Sequence, residues 1–283
     1  MLLGFALVDT VGCTVDDVVA SRIAASEADT GALVPDVLVP PPLPTEPPDA
    51  SLQLDASPKA DASMVPSNDA QAADASVEAV CPASALYCSG FEEPLDEDQI
   101  VSDRGEVIRD ELFARSGERG LRISVEGFGA RAMLAIPVAN TQDGSVFVRM
   151  YLLVPSEVQL MDLVAAHIGE PQGREGVNLD LWANDRFELY LPASDRSAFS
   201  GDGAVPRDDW MCLVIELEVD DELGGVSLRR DGTLVAQADN VDTLPPGGIS
   251  RLSLGVTWSQ SQQPPATLYM DDVVVDREPI DCL

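Results

Sequence analysis

The sequence predicts an all-β domain over residues 81–283, built as a two-sheet antiparallel sandwich. Side-chain polarity alternates with a period of two in runs such as 212–219 and 251–258, which is typical of strands with one buried face. Turn signals such as Asp143-Gly144 and Asp231-Gly232 separate these runs, because glycine tolerates the positive φ of a tight hairpin. About a dozen short strands in about 200 residues indicate a sandwich.

The predicted strands follow one another along the chain without a convincing long amphipathic helix between them. Residues 146–154 are more continuously apolar than the other runs, as expected for a central strand that is covered on both sides. Three or four strands precede this one, and several follow it. The predicted ranges are 107–110, 112–115, 121–125, 130–138, 146–154, 176–182, 212–219, 251–258 and 268–275.

Composition changes sharply near residue 80. Thirteen of the fourteen aromatic residues lie beyond that point, and nine prolines fall between Pro35 and Pro66. A segment of this composition cannot bury enough apolar surface to offset the entropy of ordering it. We therefore predict an acidic, Pro/Ala/Ser/Asp-rich disordered linker over residues 14–80, with a short helix at 14–28 as the alternative.

Residues 1–13 read as a signal segment that ends in a lipobox-like Thr10-Val11-Gly12-Cys13. The apolar stretch before it is followed by small residues and a cysteine, as in bacterial lipoproteins, where the cysteine is lipidated. The segment departs from that pattern because no cation follows Met1 and Asp9 interrupts the apolar stretch. We predict a lipid-anchored cell-envelope protein, the alternatives being a non-lipidated exported protein and a cytoplasmic one.

The five cysteines agree with export to an oxidising compartment. If Cys13 is the lipid anchor, four cysteines remain for two disulfides, which allow three connectivities. We favour a tight local Cys81–Cys88 bridge and a Cys212–Cys282 bridge that ties a strand in the middle of the domain to the C-terminus. Such disulfides persist in an oxidising compartment, and free buried thiols are the alternative.

Net charge and composition exclude several functional classes. The formal net charge is −32, whereas a nucleic-acid binder needs clustered cations. The single histidine excludes metal sites that need two imidazoles. The only lysine is Lys59, so a Walker-type phosphate loop is absent. No apolar run is long enough to span a bilayer, so contact with a membrane is expected only through the lipid anchor.

Four motifs in order resemble the concanavalin A-like lectin/glucanase superfamily, particularly its laminin-G-like members. They are the runs 210–217, 225–232, 254–255 and 268–275. The resemblance covers residues 83–283 and implies a jelly-roll sandwich. The whole layout is also similar to uncharacterised bacterial lipoproteins. The resemblance to this superfamily implies a domain that binds a polysaccharide or another cell-surface component without catalysis. The alternatives are a glycoside hydrolase, a polysaccharide lyase and a structural protein without a ligand.

Two sets of residues are candidate catalytic groups. Glu216, Glu218 and Asp220 share one strand face and resemble the E-x-D-x-E motif of laminarinase-like glycosidases, although two positions are swapped. Retaining catalysis needs two carboxyl groups about 5–5.5 Å apart, and a solvent-facing acidic stripe is the alternative. His167 and Tyr190 resemble the strand His and Tyr of β-sandwich polysaccharide lyases, the alternative being a structural histidine.

The sequence supports neither a serine nucleophile on a G-x-S-x-G elbow nor a dinucleotide-binding site. The chain contains no G-x-S-x-G nucleophile elbow. The string Gly127-Phe-Gly-Ala-Arg-Ala132 matches the dinucleotide fingerprint, but a strand is predicted after it, whereas that fingerprint needs a helix N-terminus to receive the pyrophosphate.

A structural calcium ion is the one cofactor that we predict. Glu92 follows Phe91 where the domain begins, and Asp271-Asp272-Val273 belongs to its last strand. Several carbohydrate-binding sandwich modules have a similar F-E entry and D-D-V exit that jointly hold calcium, and carboxylate oxygens suit this cation. The alternative is two polar strand ends without a metal.

The predicted ligand site consists of polar and aromatic residues that are out of phase with the core. Aromatic rings can cover the C–H patches of a sugar while amides and carboxylates bond its hydroxyls. Arg149 and Tyr151, or Arg251 and Ser253, would add to the same surface; Trp182 and Tyr151 could instead belong to the core. The predicted site residues are Asn178, Asp180, Trp182, Glu188 and Tyr190.

Overall fold

The computed structural model describes residues 81–170 and 175–282 of the chain. The predicted signal segment with Cys13 and the predicted linker lie outside the described residues. Within these residues no helix is long and apolar enough to cross a membrane.

The described chain forms fifteen strands and two short 3-10 helices, Glu97–Gln99 and Pro192–Ser194. The strands are β1 Tyr87–Ser89, β2 Ile100–Asp103, β3 Gly105–Asp110, β4 Gly120–Val125, β5 Arg131–Thr141, β6 Gly144–Leu153, β7 Asp162–Gly169, β8 Gly176–Trp182, β9 Arg186–Leu191, β10 Arg196–Phe199, β11 Met211–Val219, β12 Gly224–Arg230, β13 Thr233–Val241, β14 Ile249–Ser259 and β15 Ala266–Asp276.

These strands form two antiparallel sheets, so the prediction of an all-β two-sheet sandwich is confirmed. The first sheet has the order β13-β12-β11-β6-β15-β4-β3, and β1 pairs with β15. The second sheet has the order β10-β9-β8-β7-β14-β5-β2. The predicted central strand is also confirmed, because β6 lies between β11 and β15.

Alternate side chains of both sheets fill one apolar core between them. Leu121 and Ile123 of β4 are fully buried, as are Leu179 and Leu181 of β8. Successive residues of a strand point to opposite faces, so the intervening residues of each strand lie on the outer face of its sheet. The core therefore decides which side chains are available for a functional site.

One predicted strand is wrong. Residues 111–119 form the loop between β3 and β4, although 112–115 was expected to be extended. The ring of Phe113 in this loop stacks on Tyr269 of β15 at a centroid distance of 4.1 Å. Arg115 lies over the ring of Tyr151 at 3.7 Å. The run 112–115 thus belongs to a loop, of which Phe113 and Arg115 pack onto the outer face of the first sheet.

Both predicted disulfides are present in the structure. Cys81 is bonded to Cys88, and Cys212 of β11 is bonded to Cys282 near the C-terminus. The second bond holds the C-terminal segment on the outer face of the first sheet, where Cys282 packs with Trp210 against Tyr151 and Val214.

We predict that the Cys212–Cys282 bond stabilises the domain more than the Cys81–Cys88 bond. The two bonds close sequence separations of 70 and 7 residues, and the chain-entropy relation gives about 4 and about 2 kcal/mol, respectively. Urea unfolding of the double variants C212S/C282S and C81S/C88S measures both losses. A larger loss in C81S/C88S, or a different pairing in mass spectrometry of unreduced peptides, would contradict this assignment.

Candidate functional site

The outer face of the second sheet brings all five predicted ligand-site residues together. Asn178, Asp180 and Trp182 alternate with the core residues of β8, and Glu188 and Tyr190 lie on the neighbouring strand β9. In the register of these strands, Asn178 is opposite Tyr190 and Asp180 is opposite Glu188. The alternation inferred from the sequence thus identified one continuous surface.

Five polar residues form a straight row across this face, which we call the central row. Ser253 of β14 is paired with His167 of β7, His167 with Asn178, Asn178 with Tyr190, and Tyr190 with Ser197 of β10. Neighbouring strands lie about 4.8 Å apart, so the row spans about 19 Å. The predicted histidine and tyrosine therefore belong to the same surface as the predicted ligand site.

A second row runs beside the central row and carries aromatic residues at both ends. Trp258 is paired with Val164, Val164 with Asp180, Asp180 with Glu188, and Glu188 with Phe199. The sequence analysis did not assign Phe199 or Trp258 to the site. Their places depend on the pairing of β10 with β9 and of β14 with β7, and no local sequence pattern specifies these pairings.

Trp182 is held rigidly at the β10 side of this face. Its indole N–H donates to a carboxylate oxygen of Glu188, and the other oxygen of Glu188 accepts from the hydroxyl of Ser197. The Trp182 and Phe199 rings meet edge to face at 5.8 Å, and the Arg186 guanidinium lies 4.4 Å from the centre of the Phe199 ring. Phe199 is 42% exposed, so this aromatic pair is accessible to a ligand.

His167 is buried in the central row and is uncharged at neutral pH. Only 2% of the residue is exposed, and this burial lowers the pKa of the imidazole, although a hydrogen bond with Asn178 opposes the shift. The Nδ1 atom lies 2.7 Å from the Asn178 side-chain oxygen. Because a carbonyl oxygen only accepts, Nδ1 carries the proton in this pairing, and Nε2 carries the lone pair.

The space around Nε2 of His167 depends on Gly169. A Cβ atom at Gly169 would lie 2.7 Å from Nε2, so a side chain there would collide with the imidazole. Nε2 has no hydrogen-bond partner among the described residues. In the same row, the hydroxyl of Tyr190 donates to Asp195 at 3.2 Å.

Three buried carboxylates lie below the aromatic pair. Asp162, Asp180 and Glu188 are each at most 3% exposed, and one oxygen of each lies within 4.8 Å of the others. Trp182 and Ser197 each donate a hydrogen bond to Glu188, one of the three. Asp162 was missed by the sequence analysis because only the pairing of β7 with β8 places it beside Trp182.

The candidate catalytic carboxylates Glu216 and Glu218 lie on the opposite side of the sandwich. Glu216 and Glu218 are exposed on the outer face of the first sheet, opposite Ser227 and Gly225 of β12. They line a shallow groove of about 250 Å³ together with Arg229, Gln237 and Asp239. The structure therefore does not bring them to His167, Tyr190 or Trp182. Arg149 and Tyr151 also belong to the first sheet, away from the predicted ligand site.

A cleft beside β4 and β15 contains none of the predicted site residues. It has a volume of about 550 Å³ and lies beside β4 and β15, lined by residues that include Ser124, Glu126, Glu157 and Thr267. The predicted site residues and this cleft thus lie in different parts of the domain.

The predicted calcium ligands meet around one loop. Glu92 accepts hydrogen bonds from the backbone N–H groups of Glu118 and Arg119. One Asp271 oxygen accepts from the N–H groups of Arg115 and Ser116. Burial, followed by the charge of Asp272, raises the pKa of Asp271 to about 7.

Asp272 binds the same loop through its side chain. One of its oxygens pairs with the Arg115 guanidinium at 2.7 Å, and the other accepts from the Ser116 hydroxyl. The residues around Asp272 therefore supply the donors that a calcium ion would replace. Calcium at Glu92, Asp271 and Asp272 stays a proposal, in which the ion competes with Arg115 and with these N–H groups.

Comparison with known proteins supports the fold. The chain matches no known protein family, and no curated protein matches it significantly. Among solved structures, it is similar to the cellulose-induced protein Cip1, with 14% identity over 70% of this chain and 100% of that chain and a TM-score of 0.53. An endo-β-1,4-glucuronan lyase from the fungus Trichoderma reesei matches with 13% identity over 68% and 95%, at a TM-score of 0.50.

A botulinum neurotoxin type C structure is also similar, with 10% identity over 70% of this chain and 49% of that chain and a TM-score of 0.51. Cell entry of that toxin depends on interaction with two ganglioside molecules. At these identities the likeness shows the fold alone, and this fold is consistent with the resemblance to the concanavalin A-like superfamily.

The calcium proposal predicts that a chelator lowers the melting temperature of the full chain, since an ion that binds only the folded state stabilises it. The variant Asp272→Asn should not respond to the chelator. Calorimetry with and without chelator measures both effects, and Glu218→Gln, an exposed carboxylate on the first sheet, is the control. Identical wild-type melts would leave these carboxylates as anchors of the loop alone.

Proposed function

We propose that this domain binds a glycan, without catalysis, on the outer face of its second sheet. The observation that carries the proposal is the convergence of the central row with the Trp182–Phe199 pair on the consecutive strands β8, β9 and β10. Aromatic rings cover the apolar faces of sugars, while amides and hydroxyls bond the sugar hydroxyls. Similar structures include a cellulose-induced protein and a ganglioside-dependent toxin, which supports a glycan ligand loosely.

The geometry of the face favours recognition over chemistry. Glu188 fixes Trp182 by a hydrogen bond, so the ring is held before a ligand arrives, and this reduces the entropy lost on binding. The accessible polar groups of the central row are the Asn178 amide and the Ser197 and Tyr190 hydroxyls, all at least partly exposed. The length of the row suits an oligosaccharide better than a single sugar.

We also propose that the protein is exported to the cell envelope. Its two disulfides are of the kind that persists in oxidising compartments. Lipid anchoring through Cys13 rests on the lipobox-like sequence alone. In this proposal, the linker 14–80 presents the sandwich at a distance from the membrane.

The binding proposal is tested with the purified full chain on an array of neutral and acidic glycans. Replacing Trp182 or Phe199 with alanine should weaken binding about tenfold or more, because the two rings supply the apolar contact surface of the site. Phe199 lies at an exposed edge, so its variant should fold normally.

The matched control for this experiment is E216Q/E218Q on the opposite sheet, which should bind like the wild type. If no glycan on a broad panel binds, the proposal fails and a structural role without a ligand is favoured. A loss of binding in the control, with the aromatic variants unaffected, would place the site on the first sheet instead.

A second candidate function is a polysaccharide lyase, favoured by the uncharged His167 in the same row as Tyr190. In β-elimination a base removes the proton at C5 of a uronate, the C4–O bond breaks, and an acid protonates the departing oxygen. This leaves a C4=C5 double bond. Nε2 of His167 would accept the proton and the Tyr190 phenol would donate one. The low exposure of His167 opposes this function.

The lyase candidate predicts that the full chain releases unsaturated products from glucuronan or alginate, detected by ultraviolet absorbance of the new double bond. Tyr190→Phe and His167→Asn should lower the rate by at least about a hundredfold, the usual contribution of a general acid or base. E216Q/E218Q should retain full activity. The absence of product from both polymers would exclude this function on these substrates.

A further inference from the structure

We infer that the glycan recognised on the outer face of the second sheet is uncharged, and that a polyuronate is rejected there. The inference rests on the proposed function and goes beyond it by naming the class of ligand. It follows from the charges of the side chains that surround the central row and the aromatic pair.

Few cations lie on this face: the two on β7, β8, β9 and β14 are each opposed by a carboxylate, and Arg131 lies on β5, beyond β14 from the aromatic pair. Among the outward-facing residues of β7, β8, β9 and β14, the cationic side chains are Arg186 and Arg251. Arg186 lies 3.6 Å from Asp202 and covers Phe199, and Arg251 interacts electrostatically with Glu170. The only lysine of the chain is Lys59, far outside the sandwich in sequence.

Carboxylates, in contrast, surround the row. Asp195 accepts from Tyr190, and Asp202 is 70% exposed beside Arg186. The buried carboxylates of Asp162, Asp180 and Glu188 lie under the aromatic pair. A polyuronate carries one carboxylate on each sugar, and like charges that face each other across an interface cost binding energy and select against a partner.

An uncharged sugar chain does not have this cost. It offers hydroxyl groups to Asn178, Ser197 and Tyr190, and apolar C–H faces to the rings of Trp182 and Phe199. The face therefore matches a neutral glycan in both polarity and charge. The same reasoning opposes the lyase candidate, because β-elimination requires a uronate in the site.

The test uses a neutral oligosaccharide that binds in the array and its counterpart oxidised at C6 to the uronate. Titration calorimetry with the full chain should show at least about tenfold weaker binding of the oxidised form at low salt. The difference should shrink as salt is added, because salt screens charges but does not restore a lost hydroxyl contact.

A charge-changing variant separates electrostatics from lost contacts. D195N/D202N should narrow the difference between the two affinities several-fold. Asparagine keeps a side-chain oxygen that can accept from Tyr190, and it tolerates the left-handed backbone of Asp195, whose φ is 49°. E216Q/E218Q makes the same charge change on the opposite sheet and should leave the affinity difference between the two ligands unchanged.

The outcomes distinguish this inference from the proposed function. Equal or tighter binding of the oxidised form overturns the inference and leaves glycan binding intact. A difference that neither salt nor D195N/D202N reduces also overturns it, since the cause is then a lost contact. If no neutral or acidic glycan binds, the proposed function fails and this inference fails with it.

Discussion

The whole arrangement depends on burial of every second side chain between the two sheets. Leu179 and Leu181 are at most 1% exposed, and burying a leucine stabilises a protein by about 1.5–3 kcal/mol. A one-residue slip of β8 would expose both leucines and bury Asn178, Asp180 and Trp182 in apolar surroundings. The core therefore fixes the surface that is available for function, although no core residue takes part in that function.

The outer faces of the two sheets differ in what lies on them. On the first sheet, the loop 111–119 and the C-terminal segment cover β6 and β15, and Asp271, Asp272 and the Cys212–Cys282 bond hold them there. On the second sheet, polar side chains bond to one another across strands, as Glu188 does with Trp182 and Ser197. The first sheet keeps open grooves beside this cover, along β3 and β4 and along β11 and β12, whereas the second sheet presents a surface of cross-bonded polar groups with aromatic edges.

The sequence predicted the sandwich, both disulfides and the shared face of Asn178, Asp180 and Trp182, because these follow from alternation and from a small number of pairings. It could not predict the rows, since they depend on strand register. The register of β7 shifts between Val164 and Ala166, and this irregularity brings both His167 and Asp162 onto the outer face. The strand predicted at 112–115 is wrong because this run is a loop, from which Phe113 and Arg115 pack on Tyr269 and Tyr151.

Register also decides between the two candidate catalytic sets. A glycosidase needs a carboxyl group whose protonation is tuned by burial or by a close charge, but Glu216 and Glu218 are exposed on the first sheet. His167, whose pKa is lowered by burial, lies on the second sheet, on the same face as the aromatic pair. Burial keeps His167 uncharged and also keeps it from solvent. A buried imidazole that bonds Asn178 is well placed to orient that amide toward a ligand, which makes positioning of a recognition group its best-supported role.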